Sequence, residues 1–302
     1  MTKVVSLHEA IAAHVRDGDS VAIEGFTHLI SFAAGHEIVR QGRRDLTLCR
    51  LTPDLVYDQL VAAGVASKLV FSWLGNPGVG SLHAIRRAIE AGELEFEEYT
   101  HFGLASRYMA GAARLPFAPV RTFTGSDLPE VNRSLVQIES PFNPRETVYV
   151  VPPLRPDVAI VHVQRASAAG DAQIWGVLGC QKEAALAAQR CIVVCEELVD
   201  DAIVRADPNR TILPAACVDA VVVQPYGCHP SYAQGYYDRD NAFYVEWDEI
   251  SRDPARLDAW LDEWVRELAT HDDYLEKLGE ETLAALVPGD GWSAPVNYGV
   301  YA

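Results

Sequence analysis

His28 closes the run Gly25-Phe26-Thr27-His28, and His101 stands ahead of Ser106 and Arg107 in "HFGLASR". An imidazole in such a place can carry a proton, and Arg107 or Arg121 could grip a carboxylate through two parallel hydrogen bonds. Main-chain N–H groups at Gly25–Phe26 or Gly75–Asn76 could hold an oxyanion. Gly125 and Asp127, in "FTGSD", complete the candidates. Each has a plainer reading beside it. A histidine is more often a hydrogen-bonded part of a core than a catalyst, and both arginines suit structural ion pairs equally well.

The glycines allow two readings as well. "EGFTH" lets a backbone approach a ligand closely, yet it lacks the GxGxxG and GK[ST] phosphate patterns. "LGNPGVGS" could present free N–H groups to an anion at a helix start near Leu82, or serve as an ordinary turn. No GxSxG elbow occurs, which disfavours a serine hydrolase of the α/β type. The cysteines (Cys49, Cys180, Cys191, Cys195, Cys217 and Cys228) are scattered without a CxxC knuckle, and the histidines show no metal spacing. Structural thiols and no metal are expected.

The candidate segments share a position: most follow a stretch that reads as a strand. "SLHEAIAAHVR" has a helix signature, with Ser6 as cap and Glu9 three places on. "DSVAIEGF" then gives a strand, "SFAAGHEIVRQG" a helix, "DLTLCRLT" a strand, "PDLVYDQLVAAG" a helix and "ASKLVFSWLGN" a strand. The second half repeats the theme with strands at "PDVAIVHVQRAS", "CIVVCEEL" and "CVDAVVVQP", and a helix at "QKEAALAAQR". Strands alternating with helices predict an α/β fold, an open, mostly parallel sheet flanked by helices, with ligands beyond the strands' carboxyl ends. The prolines of "ESPFNPRETVYVVPP" mark either a crossover within one sheet or a domain break. We expect one α/β domain over residues 1–302, with a helical extension from about residue 254 and a loose tail, "NYGVYA".

The chain has 302 residues, 25 basic against 42 acidic, and a net charge of −17. Such a field repels nucleic-acid phosphates but leaves room for a small anion held by one local arginine. The opening residues carry no apolar leader, and no run of 18 apolar residues occurs, so a cytoplasmic protein without a membrane span is expected.

Longer passages are more specific. "VPPLRPDVAIVHVQRASAAGDAQIWG" and "CIVVCEELVDDAIVRADPNRTILPAACVDAVVVQPYGCHPSYAQGYYDRDNAFY" resemble the alpha subunit of class I CoA-transferases of the glutaconate type. "HEAIAAHVRDGDSVAIEGF" and "HDDYLEKLG" are similar to the same family, so the resemblance covers nearly the whole chain. It implies an open α/β subunit that pairs with a homologous beta subunit in an α2β2 assembly, acting on an acyl-CoA at the junction. CoA is then part of the substrate, and no separate cofactor is needed. The family's nucleophilic glutamate belongs to the beta subunit.

"HFGLASRYMAGAARLPFAPVRTFTGSDLP" is similar to the alpha subunit of the actinobacterial ring-opening hydrolase branch of steroid degradation. That resemblance implies a glutamate base at the position held here by Ala105. On this expectation the enzyme opens a cyclic β-keto acyl-CoA with water, a carboxylate at 105 having its pKa raised by Phe102, Leu104 and Met109. Ala105 then marks either different chemistry or a lost carboxylate, while alanine in a close-packed helix needs no special account. The alternative is a CoA-transferase subunit that moves CoA between carboxylic acids. A ligand sensor ranks last, because residues 1–20 are too short for a basic DNA-binding module.

Overall fold

The computed structural model describes residues 2–288; the expected "NYGVYA" tail lies outside them. Four strands open the chain, β1 (Ser20–Glu24), β2 (Leu46–Cys49), β3 (Ala66–Phe71) and β4 (Glu95–Glu98). They alternate with helices α1 (Leu7–His14), α2 (Phe32–Arg40), α3 (Leu55–Ala62) and α4 (His83–Glu90), and α5 (His101–Ala112) follows β4. At α1 the capping box forms as its sequence requires: Ser6 accepts from the Glu9 N–H and Glu9 accepts from the Ser6 N–H.

The second half adds β8 (Val158–Ser167), β10 (Arg190–Val199) and β12 (Ala220–Val223), with α7 (Gln181–Ala187) and α8 (Asp201–Ala206) between them. These seven strands form one parallel array in the order β12-β10-β8-β1-β2-β3-β4. The chain builds outward from β1 in one direction and from β8 in the other, so the order reverses between β1 and β8. Two short strands, β9 (Ala172–Gln173) and β11 (Thr211–Leu213), continue the sheet antiparallel beside the far end of β8. The expected α/β sheet is present.

Alternation along the strands fills both faces, as a period of two dictates. Val21 and Ile23 of β1 face one cluster with Ile11, Phe32, Val56 and Trp247. Ala22 faces the other side, with Cys49, Val70, Tyr99, Leu104 and Tyr108. Leu104 and Tyr108 seat α5, and burying side chains of this size is worth about 1.5–3 kcal/mol each. Small residues let α5 sit close: a side chain at Gly103 would meet the Phe123 ring, and one at Gly111 the Leu154 carbonyl.

The proline-rich segment takes a form its sequence did not specify. β5 (Ala118–Val120), β6 (Val136–Glu139) and β7 (Thr147–Val151) make a separate antiparallel sheet in the order β5-β7-β6, with α6 (Leu128–Val131) after β5. The C-terminal helices begin before residue 254, at α9 (Asn241–Arg252). The helical extension expected from about residue 254 consists of α10 (Pro254–Leu261), a π-helical turn at Asp262–Arg266, α11 (His271–Leu278) and α12 (Glu280–Ala285). Thr270 caps α11 through a second capping box, which fixes a new start there.

Candidate functional site

The loops after β1, β2 and β3 meet the first residue of α5 around a cavity of about 290 Å³. Phe26, Trp73 and Pro77 give it apolar walls, while Thr27, Thr52, Asp54 and His101 bring polar groups. This is the carboxyl end of the sheet, where parallel α/β folds bind ligands. The first loop turns sharply at Gly25: a Cβ there would lie 2.7 Å from the His28 carbonyl oxygen and 2.8 Å from that of Leu29. The glycine therefore serves the loop's own curl. Thr27 and Leu29 both have φ of 55°, a left-handed conformation that costs a branched or bulky residue about 1–3 kcal/mol. The Ser231 hydroxyl, donating to the Thr27 carbonyl at 2.9 Å, and the Leu29 N–H, donating to Tyr232 O at 3.0 Å, hold the strain in place. Among the described residues, the Phe26 and Thr27 N–H groups have no acceptor.

A buried charge cluster fixes the cavity floor. Arg50 is fully buried; it donates to Asp54 Oδ1 at 2.9 Å and to the Gly25 carbonyl at 3.0 Å. Glu24, also fully buried, accepts from the Leu51 N–H at 2.9 Å. Burial opposes the charge on Arg50, but Asp54, Tyr57 and Glu24 outweigh it and push its pKa up. Burial raises the carboxyl pKa of Asp54 and of Glu24, with Arg50 opposing in both cases. The third loop is tied by Arg239 donating to Pro77 O at 2.8 Å and by Ser72 Oγ donating to Leu51 O at 2.5 Å. Among the described residues, Asp54 is the one carboxylate lining the cavity, and it is spent on Arg50. The cavity has room for a small ligand between apolar walls and a few polar groups, and its described lining offers no free carboxylate.

Of the residues singled out from the sequence, Phe26, Thr27 and His101 line this cavity. His28 does not: it is fully buried, with Nδ1 against the Val177 carbonyl at 2.9 Å and Nε2 accepting from the Gln234 N–H at 3.0 Å. A carbonyl only accepts and an N–H only donates, so these contacts fix the neutral Nδ1–H tautomer. Burial lowers the His28 pKa to about 4. The expected donors at Gly75–Asn76 are also spent, since Asn76 N–H bonds Gly80 O at 2.9 Å and its side chain donates to Tyr244 O at 2.7 Å. Ser106 returns its hydroxyl to Phe102 O at 2.6 Å. Arg107 lies over the Tyr99 ring, pairs with Glu97 at 3.1 Å and donates to Pro152 O at 3.0 Å, which gives it a structural task. Burial would raise the Glu97 pKa, but Lys68, Tyr99 and Arg107 outweigh it and hold the carboxyl low. Arg121 is exposed and pairs with Glu146. Gly125 and Asp127 lie exposed in the loop before α6, away from the lining. Ala105 is half-buried against the Leu104–Tyr108–Phe123 cluster and does not line the cavity either.

One grouping escaped the spacing argument. His162, Glu196 and Cys228, distant in sequence, bring ligand atoms within 4.8 Å of one another. Hydrogen bonds occupy the group: His162 Nε2 meets Glu196 Oε1 at 2.7 Å, Tyr237 donates to the same oxygen, and Tyr226 N–H bonds Oε2 at 2.7 Å. The hydrogen bonds converging on Glu196 account for the grouping, although His162 Nδ1 is buried without a partner among the described residues.

The family description "Coenzyme A transferase" matches residues 4–224. The chain belongs to the coenzyme A transferase family. Its identity with a 3-oxoadipate CoA-transferase subunit of Pseudomonas knackmussii is 52%, over 93% of this chain and 99% of that protein. The crystal structure of glutaconate coenzyme A-transferase from Acidaminococcus fermentans superposes with a TM-score of 0.93 at 37% identity, covering 98% of this chain and 99% of that one. The similarity to a ring-opening hydrolase is weaker: the cholesterol ring-cleaving hydrolase IpdA subunit of Rhodococcus jostii is 28% identical over 92% of this chain and 97% of that protein. This corrects the order of the two activities expected from residues 101–129.

Thr52, Asp54 and Pro77 were missed as lining residues. "LTPD" reads as a strand end and a helix cap, and Asp54 does precede α3, but without a side-chain cap bond. The signal was the rule already applied elsewhere: the residues after β2 also end a parallel strand.

Proposed function

We propose that this chain is the alpha subunit of a two-subunit CoA-transferase that moves CoA between carboxylic acids, with a 3-oxo or unsaturated dicarboxylic acid as one partner. The observation that carries the reading is a strand-end cavity whose one described carboxylate is locked to a buried arginine, in a chain 52% identical to a 3-oxoadipate CoA-transferase subunit. The nucleophilic glutamate comes from a homologous beta subunit, which completes the cavity. On this reading Phe26 and Trp73 enclose the acyl chain, and the N–H groups of Phe26 and Thr27, without an acceptor among the described residues, serve as donors to the oxygen on which charge develops during acyl transfer. CoA enters as part of the substrate, and the reading calls for neither cofactor nor metal. All six cysteines are free thiols, as suits a cytoplasmic enzyme.

Water-dependent ring opening has less support, because position 105 carries an alanine outside the cavity. The test is to co-produce the chain with its beta partner and to supply succinyl-CoA with 3-oxoadipate or glutaconate, following thioesters by mass spectrometry. A new acyl-CoA formed in step with released succinate is expected. Free CoA released with uptake of labelled solvent oxygen, and no new thioester, would overturn the proposal.

A further inference from the structure

Phe142 sits at the tip of the β6–β7 hairpin and is 96% exposed. The turn that presents it is well bonded. Ser140 N–H donates to Glu146 O at 2.8 Å, Glu146 N–H to Asn143 O at 2.9 Å, and Ser140 Oγ accepts from the N–H groups of Phe142 and Asn143. A bonded turn holding a phenyl ring in water leaves burial worth about 1.5–3 kcal/mol unused. Beneath the ring lies a second cavity of about 620 Å³, with Phe102, Phe117 and Ile138 in its wall and the Arg121–Glu146 pair beside them. Phe102 and Phe117 are themselves exposed. Exposed aromatics around an apolar hollow, with an arginine at the edge, have the composition of an interface core.

Charge and position indicate the occupant. Residues 101–150 hold five arginines and four acidic residues, so this segment is close to neutral in a chain of net charge −17. A protein partner meets the least long-range repulsion from this acidic chain on a face without excess charge. Near-neutrality also makes the face a poor match for an anionic membrane or a nucleic acid. The first two residues of α5 divide between the cavities, His101 lining the strand-end cavity and Phe102 the larger one. A body seated on Phe102 and Phe142 is therefore one residue along α5 from the lining of the cavity that lacks a free carboxylate.

We propose that this face docks the beta subunit, with Phe142 as the anchor. The inference rests on the two-subunit reading above. Phe142 enters a pocket of the partner, the partner fills the 620 Å³ hollow, and its own catalytic edge is thereby brought over Phe26, Trp73 and His101.

The test compares Phe142→Asp and Phe117→Asp/Phe142→Asp with Phe142→Leu and with Ile203→Asp, an exposed site on α8. Each chain is co-produced with the beta subunit, and association is measured by analytical ultracentrifugation. Phe142→Asp should weaken assembly at least tenfold, and Phe142→Leu should restore most of it. Ile203→Asp should assemble like the parent. The melting temperature of the free Phe142→Asp chain should be unchanged, since the ring is exposed. Amide exchange over residues 136–148 should slow when the beta subunit is added. Assembly of unaltered strength in both aspartate variants, or exchange protection elsewhere only, overturns the docking face. Self-association of this chain through Phe142 in place of beta binding overturns the choice of occupant. A parent chain that binds no beta subunit refutes the two-subunit reading itself, a result distinct from assembly that ignores Phe142.

Discussion

Removing Asp54 from the cavity floor is a sharp test of how the site is held. Arg50 is fully buried, with two contacts to Asp54, at 2.9 and 3.4 Å, and one to the Gly25 carbonyl. Asp54→Ala takes away the ion-pair partner of a fully buried guanidinium and leaves it only the Gly25 carbonyl and the nearby Glu24, which costs about 3–5 kcal/mol. Arg50→Met acts differently, because the stranded carboxyl can take up a proton. Burial already raises the Asp54 pKa, and losing Arg50 raises it further above the unfolded value. A raised carboxyl pKa favours folding at low pH and loses that advantage as pH rises, so the Arg50→Met deficit should be larger at pH 8 than at pH 5. The double variant Arg50→Met/Asp54→Ala removes both charges of the pair; with each single change costing about 3–5 kcal/mol and the double no more than Asp54→Ala, the coupling energy is about 3 kcal/mol or more. Urea unfolding followed by tryptophan fluorescence, at both pH values, measures all four corners. Additivity within about 0.5 kcal/mol, or an Arg50→Met deficit independent of pH, would refute the account of the floor.

Three further outcomes follow from the same geometry. Ala105→Glu places a carboxylate against the Leu104–Tyr108–Phe123 cluster, so it should cost about 1–3 kcal/mol of stability and create no ring-opening activity; a working hydrolase from this variant would restore the other reading. Trp73→Ala removes an exposed indole wall, so KM for the acyl substrate should rise severalfold in the assembled enzyme with kcat little changed, and an unchanged KM would remove Trp73 from the site. Burial lowers the pKa of His28 to about 4 and of His36 to about 3, so unfolding takes up protons. Stability should be full above the unfolded value near 6.5 and fall on acidification toward pH 4, by up to about 1.4 kcal/mol per pH unit for each histidine. His36→Gln should lessen that slope, as read from urea midpoints between pH 7 and pH 4.5.

The parallel sheet was legible because buried strands such as "CIVVC" and "AVVV" are continuously apolar and the helices between them carry caps and periodic faces. The rule that ligands lie past strand ends located Phe26 and His101, since it depends on topology alone. It could not say which side chains turn inward. His28 is next to two cavity residues, yet Val177 and Gln234 take both of its nitrogens from about 150 and 200 positions away. Arg107 looked free for a substrate because Glu97, Tyr99 and Pro152 converge on it only after folding. The small antiparallel sheet was hidden by Pro141 and Pro144, which read as a break but belong to a hairpin tip. Ala105 differs in another way: the expectation of an acid there came from resemblance alone, and the fold packs this position against the Leu104–Tyr108–Phe123 cluster.

The strained loop after β1 has a consequence for how the protein comes into being. Thr27 and Leu29 reach their left-handed conformations only against Val177, Ser231, Tyr232 and Gln234, which leave the ribosome much later than the loop itself. A contact spanning some 200 residues forms after the local ones. During synthesis the first four strands can therefore pair while the loop between β1 and α2 stays relaxed and the cavity stays unshaped. The cavity is a late product of the fold, shaped when later parts of the chain return to its beginning, so an unfinished polypeptide lacks it.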